Sequence, residues 1–137
     1  MTYLLDTNVV SQTSKLDPDV AVMRWWKQQN ELSLMLSAIV FQELRFGIEM
    51  LSPGKKRSRL EEWMEIRLRG EFAGRILPVT VEIAELSGRL IAETKKAAHI
   101  AETGDALIAA TARVHGLKVA TLNRTHFERL DVELVEF

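Results

Sequence analysis

The sequence predicts an α/β fold in which a parallel sheet is covered by helices on both faces. Short apolar segments bounded by polar residues alternate along the chain with longer segments whose apolar residues recur at helical spacing. This alternation is typical of parallel sheets, because parallel neighbours need crossover connections that are usually helices. A length of 137 residues and a hydrophobic content of 47% suit one core, so we expect a single domain over residues 1–137.

Five short apolar segments are predicted to be strands. They cover residues 3–5, 31–36, 75–79, 117–122 and 132–137. Pro78 lacks an amide hydrogen, so the third strand is expected to lie at the edge of the sheet or to end there.

The helices are predicted from their apolar spacing and from capping residues. Asp17 before Pro18 favours one helix start, Ser37 favours another, and Gly116 favours a helix end. The predicted helices cover residues 17–29, 37–51, 55–72, 80–97, 103–115 and 125–130.

Composition excludes several functional classes. The chain has no cysteine, which rules out disulfide frameworks, thiolate metal sites and cysteine nucleophiles. Its 18 basic and 19 acidic residues give a net charge of -1, so a nucleic acid would have to be held by local basic patches. No segment approaches the roughly 20 apolar residues of a membrane span, and the N-terminus lacks signal-peptide features. We therefore expect a cytoplasmic protein without a membrane partner.

Three acidic residues stand where local structure predicts contact with the interior. Asp6 follows the first strand, where ligand sites of α/β sheets are built, although capping of a following turn would also explain it. Glu43 interrupts the apolar stripe of Ile39, Phe46 and Met50 and is expected to face inward. The alternative is a side chain whose head reaches the protein edge or pairs with a distant cation.

Asp105 opens a helix on the side shared by the small and apolar residues Ile108, Ala109 and Ala112. A favourable charge in the first helical turn is the alternative interpretation of Asp105. If the three carboxylates meet, they repel one another and need a cation. Mg²⁺ or Mn²⁺ suits such oxygen ligands, and an ion held in this way favours hydrolysis of nucleic acid.

With these acids in place, the chain resembles the PIN-domain ribonucleases, specifically the VapC and FitB toxins of bacterial toxin–antitoxin pairs. The matching segments occur in the family's order over nearly the whole chain. They are "LLDTNVVS", "LSAIVFQELRFGIEML", "GRILPV", "GDALIAATARVHGL" and "VATLNRTHF".

The resemblance implies a PIN-like three-layer α/β/α sandwich with a mainly parallel central sheet, and an endoribonuclease that depends on Mg²⁺ or Mn²⁺. It implies that Asp6, Glu43 and Asp105 are the catalytic residues and the metal ligands, and that Asn8 and Thr121 support them. It also implies an RNA substrate, a cognate antitoxin protein, contact with DNA only through that antitoxin, and a homodimer.

The chain departs from the family between residues 121 and 126, where members often have a fourth acid. Asn123 in this segment offers a carbonyl oxygen but no negative charge, so one metal ion is expected rather than two. Glu102, one turn before Asp105, is a candidate to compensate.

The alternative function is a catalytically weak or inactive PIN-like module that binds RNA or protein with the same surface. A phosphoaspartyl phosphatase is less well supported, because Asn8 stands where it would place a second acid. A receiver domain is less well supported, because the flanks of Asp6 supply no paired acid and no strand-end lysine pairs with it. The RNA target and cleavage sequence do not follow from these motifs.

Overall fold

The computed structural model describes residues 1–137 and contains one sheet of four parallel strands. The strands are β1 (Tyr3–Leu5), β2 (Leu34–Ser37), β3 (Ile76–Leu77) and β4 (Lys118–Ala120). Their spatial order is β3-β2-β1-β4, and every neighbouring pair is parallel. The order reverses beside β1, so a crevice is expected at the carboxyl ends of β1 and β4.

The helices follow the predicted pattern, with one addition directly after β1. They are α1 (Thr7–Val10), α2 (Val20–Gln28), α3 (Ala38–Glu49), α4 (Lys55–Glu62), α5 (Arg69–Glu71), α6 (Val81–Lys96), α7 (Thr103–His115) and α8 (Arg124–Phe127). A 3₁₀-helix at Ser11–Ser14 extends α1, and a π-helical segment at Trp63–Leu68 joins α4 to α5. None of these helices is long and apolar enough to cross a membrane.

Two hydrophobic clusters lie on opposite faces of the sheet, as the three-layer prediction requires. Leu5 belongs to the cluster formed with α2, α3 and α4, and Leu4 belongs to the cluster formed with α6, α7 and α8. Successive residues of a strand point to opposite faces, so both leucines are fully buried. The α/β/α sandwich with a parallel central sheet is confirmed.

Several local predictions are confirmed. Ser37 caps α3 by accepting a hydrogen bond from the Ile39 amide, and Gly116 ends α7 in the left-handed conformation with φ of 67°. Strand β3 is an edge strand, and Pro78 follows it.

The predicted start of α2 at Asp17 is wrong by two residues. Asp19 is the cap, and its carboxylate accepts from the Val22 amide at 3.0 Å. The buried Gln12 accepts a hydrogen bond from the Asp19 amide at 2.9 Å, which fixes the chain in an extended conformation before the helix.

The predicted last strand over residues 132–137 is also wrong. Only a single parallel bridge joins Leu134 to Val119, with the Val135 amide bonded to the Val119 carbonyl at 2.9 Å. Arg124 donates to the carbonyl of Val135, a group that a continued strand would offer to its neighbour. This side-chain contact ends the pairing after one bridge.

Ala98, just after α6, has a positive φ of 63°. An alanine in this conformation is strained, because its Cβ crowds the backbone, and glycine is the residue preferred there. We expect Ala98→Gly to raise the free energy of unfolding by roughly 0.5 kcal/mol, after the greater entropy of glycine in the unfolded chain is subtracted. Urea unfolding measures this change, with Ala97→Gly as the control, since Ala97 has a negative φ of -87°.

Candidate active site

Asp6 is the centre of the site at the carboxyl edge of the sheet. It is 4% exposed and follows β1 directly. One carboxylate oxygen accepts from the Thr7 amide at 2.8 Å, and the other accepts from the Thr121 hydroxyl at 2.7 Å and from the Asn8 amide group at 3.3 Å. The capping explanation of Asp6 is therefore correct but incomplete, because the second oxygen binds a residue 115 positions away.

Asn8 and Thr121 join the ends of β1 and β4 around Asp6. The Asn8 side-chain carbonyl accepts from the Leu122 amide at 3.0 Å, so this side chain contacts both segments. Thr121 is almost fully buried and accepts from the Asn123 amide at 3.0 Å while it donates to Asp6. Both side chains donate to the same oxygen of Asp6, which is the contact expected of residues that support it.

Asn123 reaches the site through its backbone alone. Its residue is exposed, and its side-chain amide makes no hydrogen bond within the chain. The side-chain carbonyl of Asn123, which was predicted to support the site, contacts none of the site residues through a hydrogen bond in this structure.

Glu43 does not face inward as expected from its apolar stripe. Of this stripe, Ile39 is half-buried against the cluster that contains Leu4, but Phe46 is 67% exposed, Met50 is 72% exposed, and Glu43 itself is an exposed residue. The side that packs on the core instead carries Val40 and Ile48, both buried. Local periodicity could not separate these two sides, since both carry apolar residues.

The end of the Glu43 side chain nevertheless turns toward the site. One oxygen accepts from the Thr7 hydroxyl at 2.7 Å. The other lies against Gly104, where an added Cβ would be 2.9 Å from it. Arg45 forms ion pairs with Glu61 and Glu65 on the neighbouring helical segment and leaves Glu43 without a cation.

Gly104 is thus a site residue that no sequence pattern indicates. Replacing it with alanine is expected to displace the flexible Glu43 carboxylate and to leave the backbone undisturbed. We expect Gly104→Ala to lower RNA cleavage roughly tenfold, as displacement of a supporting contact does. The unfolding midpoint should change little.

Assays of cleavage and thermal unfolding on the same preparation test this expectation. Gly88→Ala is the matched control, because Gly88 is also helical and a Cβ added to it would meet no atom within 4 Å. Equal cleavage by Gly104→Ala and by the unaltered protein would show that the position of the Glu43 carboxylate does not matter.

Asp105 lies in the first turn of α7 with its side chain 13% exposed. One of its oxygens is 3.2 Å from Nδ1 of His126 on α8. The sequence indicates no role for His126, because the three histidines lack the spacing of metal ligands. The one signal for His126 in the sequence is that it lies in the segment after β4, where the family resemblance implies a fourth acid.

The electrostatics couple the three carboxyl groups. Desolvation raises the pKa of Asp6, and hydrogen bonds from Thr121 and Thr7 oppose that rise. Desolvation of the Glu43 carboxyl group raises its pKa, and the negative charge of Asp6 raises it further. Desolvation, followed by the charge of Asp6, raises the pKa of Asp105 to about 6, and His126 opposes it.

Glu102 takes part in the same electrostatic field. Its negative charge raises the pKa of both Glu43 and Asp105. Glu102 is exposed and precedes α7 directly, so it is the candidate fourth acid of the site.

The donor chemistry of this site fits a hard divalent cation. All of the candidate ligands are carboxylate oxygens. The pKa values of these carboxyl groups are raised, and a bound cation would lower them by favouring the charged form. No three acidic or histidine side chains are close enough together in this structure to hold one ion. Each carboxylate is instead hydrogen-bonded, Asp6 to Thr121, Glu43 to Thr7 and Asp105 to His126.

Comparisons with known proteins agree with the fold. The PIN domain family matches residues 3–133. VapC ribonuclease Y4jK of Sinorhizobium fredii is 36% identical over 132 residues, which are 96% of this chain and 94% of that protein. Toxin FitB of Neisseria gonorrhoeae is 37% identical over 129 residues, covering 94% of this chain and 93% of the toxin.

A crystal structure of FitAcB from Neisseria gonorrhoeae superposes with a TM-score of 0.89 at 36% identity and covers 98% of this chain and 97% of that one. A structure of FitAB bound to a DNA fragment gives a TM-score of 0.88 at 35% identity, covering 98% and 94%. Sequence and fold agree over nearly the whole length, and this chain belongs to the PIN-domain family, among the toxins of the VapC and FitB type.

Proposed function

We propose that this chain is the endoribonuclease toxin of a toxin–antitoxin pair and that it cleaves RNA with a divalent metal ion, Mg²⁺ or Mn²⁺. The observation that carries the proposal is a chain of contacts at the carboxyl edge of the sheet: Asp6 is bonded to the amide of Thr7, the Thr7 hydroxyl donates to Glu43, and the Glu43 carboxylate lies against Gly104, next to Asp105. The full-length similarity to a VapC ribonuclease supports RNA as the substrate.

In this proposal Asp6, Glu43 and Asp105 would supply the carboxylate ligands of the ion. When bound, the ion supplies the Lewis acidity needed for hydrolysis of a phosphodiester. Thr121 and Asn8 fix the orientation of Asp6 through hydrogen bonds to one of its oxygens. Residues that orient metal ligands in this way commonly affect metal affinity 10–100-fold.

The other two acids have one positioning contact each. The Thr7 hydroxyl donates to Glu43, and the His126 imidazole lies beside Asp105. In this proposal the two contacts fix the positions of the Glu43 and Asp105 carboxyl groups.

The proposed partner is a cognate antitoxin protein. The superposing structures of FitAB and of VapBC from Salmonella typhimurium contain such pairs, each with DNA bound. We propose that this chain meets DNA only through its antitoxin, because its net charge of -1 gives little attraction of its own.

The test is cleavage of a mixed single-stranded RNA pool by purified protein free of antitoxin. We expect cleavage with Mg²⁺ or Mn²⁺, none with chelator, and recovery when the metal is restored. Cleavage that persists in chelator would contradict the metal requirement, and a folded protein that cleaves in none of these conditions would contradict the nuclease.

The second candidate is an inactive PIN-like module that binds RNA or protein. It is favoured by the separation of the carboxylates, no three of which can hold one ion in this structure, and by Asn123 and His126 in the segment expected to hold a fourth acid. Calorimetric titration with Mn²⁺ separates the candidates, because the nuclease must bind the ion and the inactive module need not.

A further inference from the structure

A cavity of about 310 Å³ adjoins the acidic site, and Asp105 and Glu102 form one side of it. One wall is the segment 99–102 between α6 and α7, and the other comes from α8 and the residues after it. This volume is within the range of about 300–1,000 Å³ that is usual for small-ligand sites. We call it the Arg129 cavity, after the cation that lines it together with Ile100, Thr125 and His126.

The wall formed by residues 99–102 is fixed by hydrogen bonds to the end of α6. The His99 amide donates to the Thr94 carbonyl at 2.8 Å, and the Ala101 amide donates to the Thr94 hydroxyl at 3.0 Å. Thr94 is itself buried and donates to the Ile91 carbonyl at 2.9 Å. One wall of the Arg129 cavity is therefore fixed before any ligand binds.

The guanidinium of Arg129 has no partner. It forms neither an ion pair nor a side-chain hydrogen bond, although Glu102 and Asp105 line the same cavity. Arg45 and Arg57 are each paired with glutamates. Arg24 and Arg89 are also unpaired, but they do not line the cavity, so Arg129 is distinguished by its place beside the acidic site. A free guanidinium beside a candidate nuclease centre is suited to a phosphate group, which it binds through paired hydrogen bonds.

The remaining lining suits a flat and partly apolar ligand. Ile100 is 67% exposed, so its apolar side chain has no cover, and the His99 and His126 rings line the same cavity. Nucleic-acid bases stack on such rings, and unpaired RNA bases are the ones that proteins read in sequence-specific recognition. The hydroxyl of Thr125 adds a polar group able to contact a base edge.

We propose that the Arg129 cavity binds one nucleotide of single-stranded RNA next to the cleaved bond, with its base against Ile100 and a phosphate on Arg129, and thereby sets the sequence preference. This inference rests on the proposed nuclease function, which it deepens. It places the specificity of the protein in residues outside the acidic set.

Binding to protein that cannot cleave tests the cavity separately from the chemistry. In an Asp6→Asn background, we would measure the affinity for a fluorescent single-stranded RNA pool of random sequence at several salt concentrations. Arg129→Ala should weaken binding about tenfold and should reduce the slope of log K against log salt by about 0.7, the value for one lost phosphate contact to a single strand.

Two further variants make the measurement specific. Ile100→Ala should weaken binding about fivefold without changing the salt slope, because it removes apolar contact and no charge. Arg24→Ala is the matched control, since Arg24 is exposed on α2 and does not line the cavity. Unchanged affinity and slope in both cavity variants would overturn the proposal, as would weakening that Arg24→Ala reproduces.

Sequencing of the products cut by otherwise unaltered protein gives the second readout. Ile100→Ala should flatten the preference at one position beside the cleaved bond. Cleavage with an unchanged preference in both cavity variants would overturn the proposal and leave the nuclease standing. The protein could also bind RNA through Arg129 without cleaving it. That result would support the proposed RNA binding by the cavity and would contradict the proposed nuclease function.

Discussion

Replacing Asp6 with asparagine is expected to lower RNA cleavage by about a thousandfold and to leave the fold intact. Loss of one carboxylate from a metal-binding set removes several kcal/mol of stabilisation of the developing phosphate charge, and each 1.36 kcal/mol corresponds to about a tenfold change in rate. Asparagine keeps the oxygen that accepts from the Thr7 amide, so α1 remains capped.

The measurement compares initial cleavage rates at saturating Mn²⁺, with circular dichroism as the check on folding. Asp17→Asn is the matched control, because Asp17 is exposed and makes no side-chain hydrogen bond. A folded Asp6→Asn protein that retains more than about a tenth of the activity would remove Asp6 from the centre of the mechanism, given the size expected for such a loss.

Neutralising Asp105 is expected to stabilise the protein while it abolishes function. The folded protein holds the pKa of Asp105 at about 6, above the ordinary value of 3.8, so the folded state binds more protons than the unfolded state between about pH 4 and 6. Stability therefore falls as the pH rises through this window, and the full cost is present above pH 6. The cause is a carboxylate that is partly desolvated and repelled by Asp6.

At pH 7.5 in chelator, Asp105→Asn should raise the free energy of unfolding by about 1–2 kcal/mol, which allows for solvent screening in an open site. The corresponding rise in Tm is about 3–8 °C, and it should shrink toward zero as the pH is lowered to 4. Mg²⁺ should raise the Tm of the unaltered protein at pH 7.5 and should have little effect on the variant.

Thermal unfolding at several pH values, with chelator and with Mg²⁺, measures both effects. Asp17→Asn serves again as the comparison, because the exposed Asp17 lies before α2 and outside the acidic site. A variant that is less stable than the unaltered protein at pH 7.5 would mean that the contact with His126 outweighs the repulsion.

The sequence by itself determines the layers of this fold and predicts which acids form the candidate site. The alternation of apolar segments predicted parallel strands between helices, and the caps at Ser37 and Gly116 were readable because each acts within a few residues. Asp6 was recognisable by its position after β1. Strand 132–137 was mispredicted because the Arg124 contact that ends its pairing is not a local signal.

The tertiary structure alone decided how the acids are supported. Glu43 contacts Gly104, and Asp105 contacts His126, so each contact joins segments that are distant in sequence. The position of Arg129 at the cavity likewise depends on how distant segments pack. Periodicity places a side chain on a side of its own helix, but which side packs inward depends on the neighbouring elements. Glu43, Phe46 and Met50 are exposed for this reason, although Ile39 of the same stripe is half-buried, because α3 packs through Val40 and Ile48.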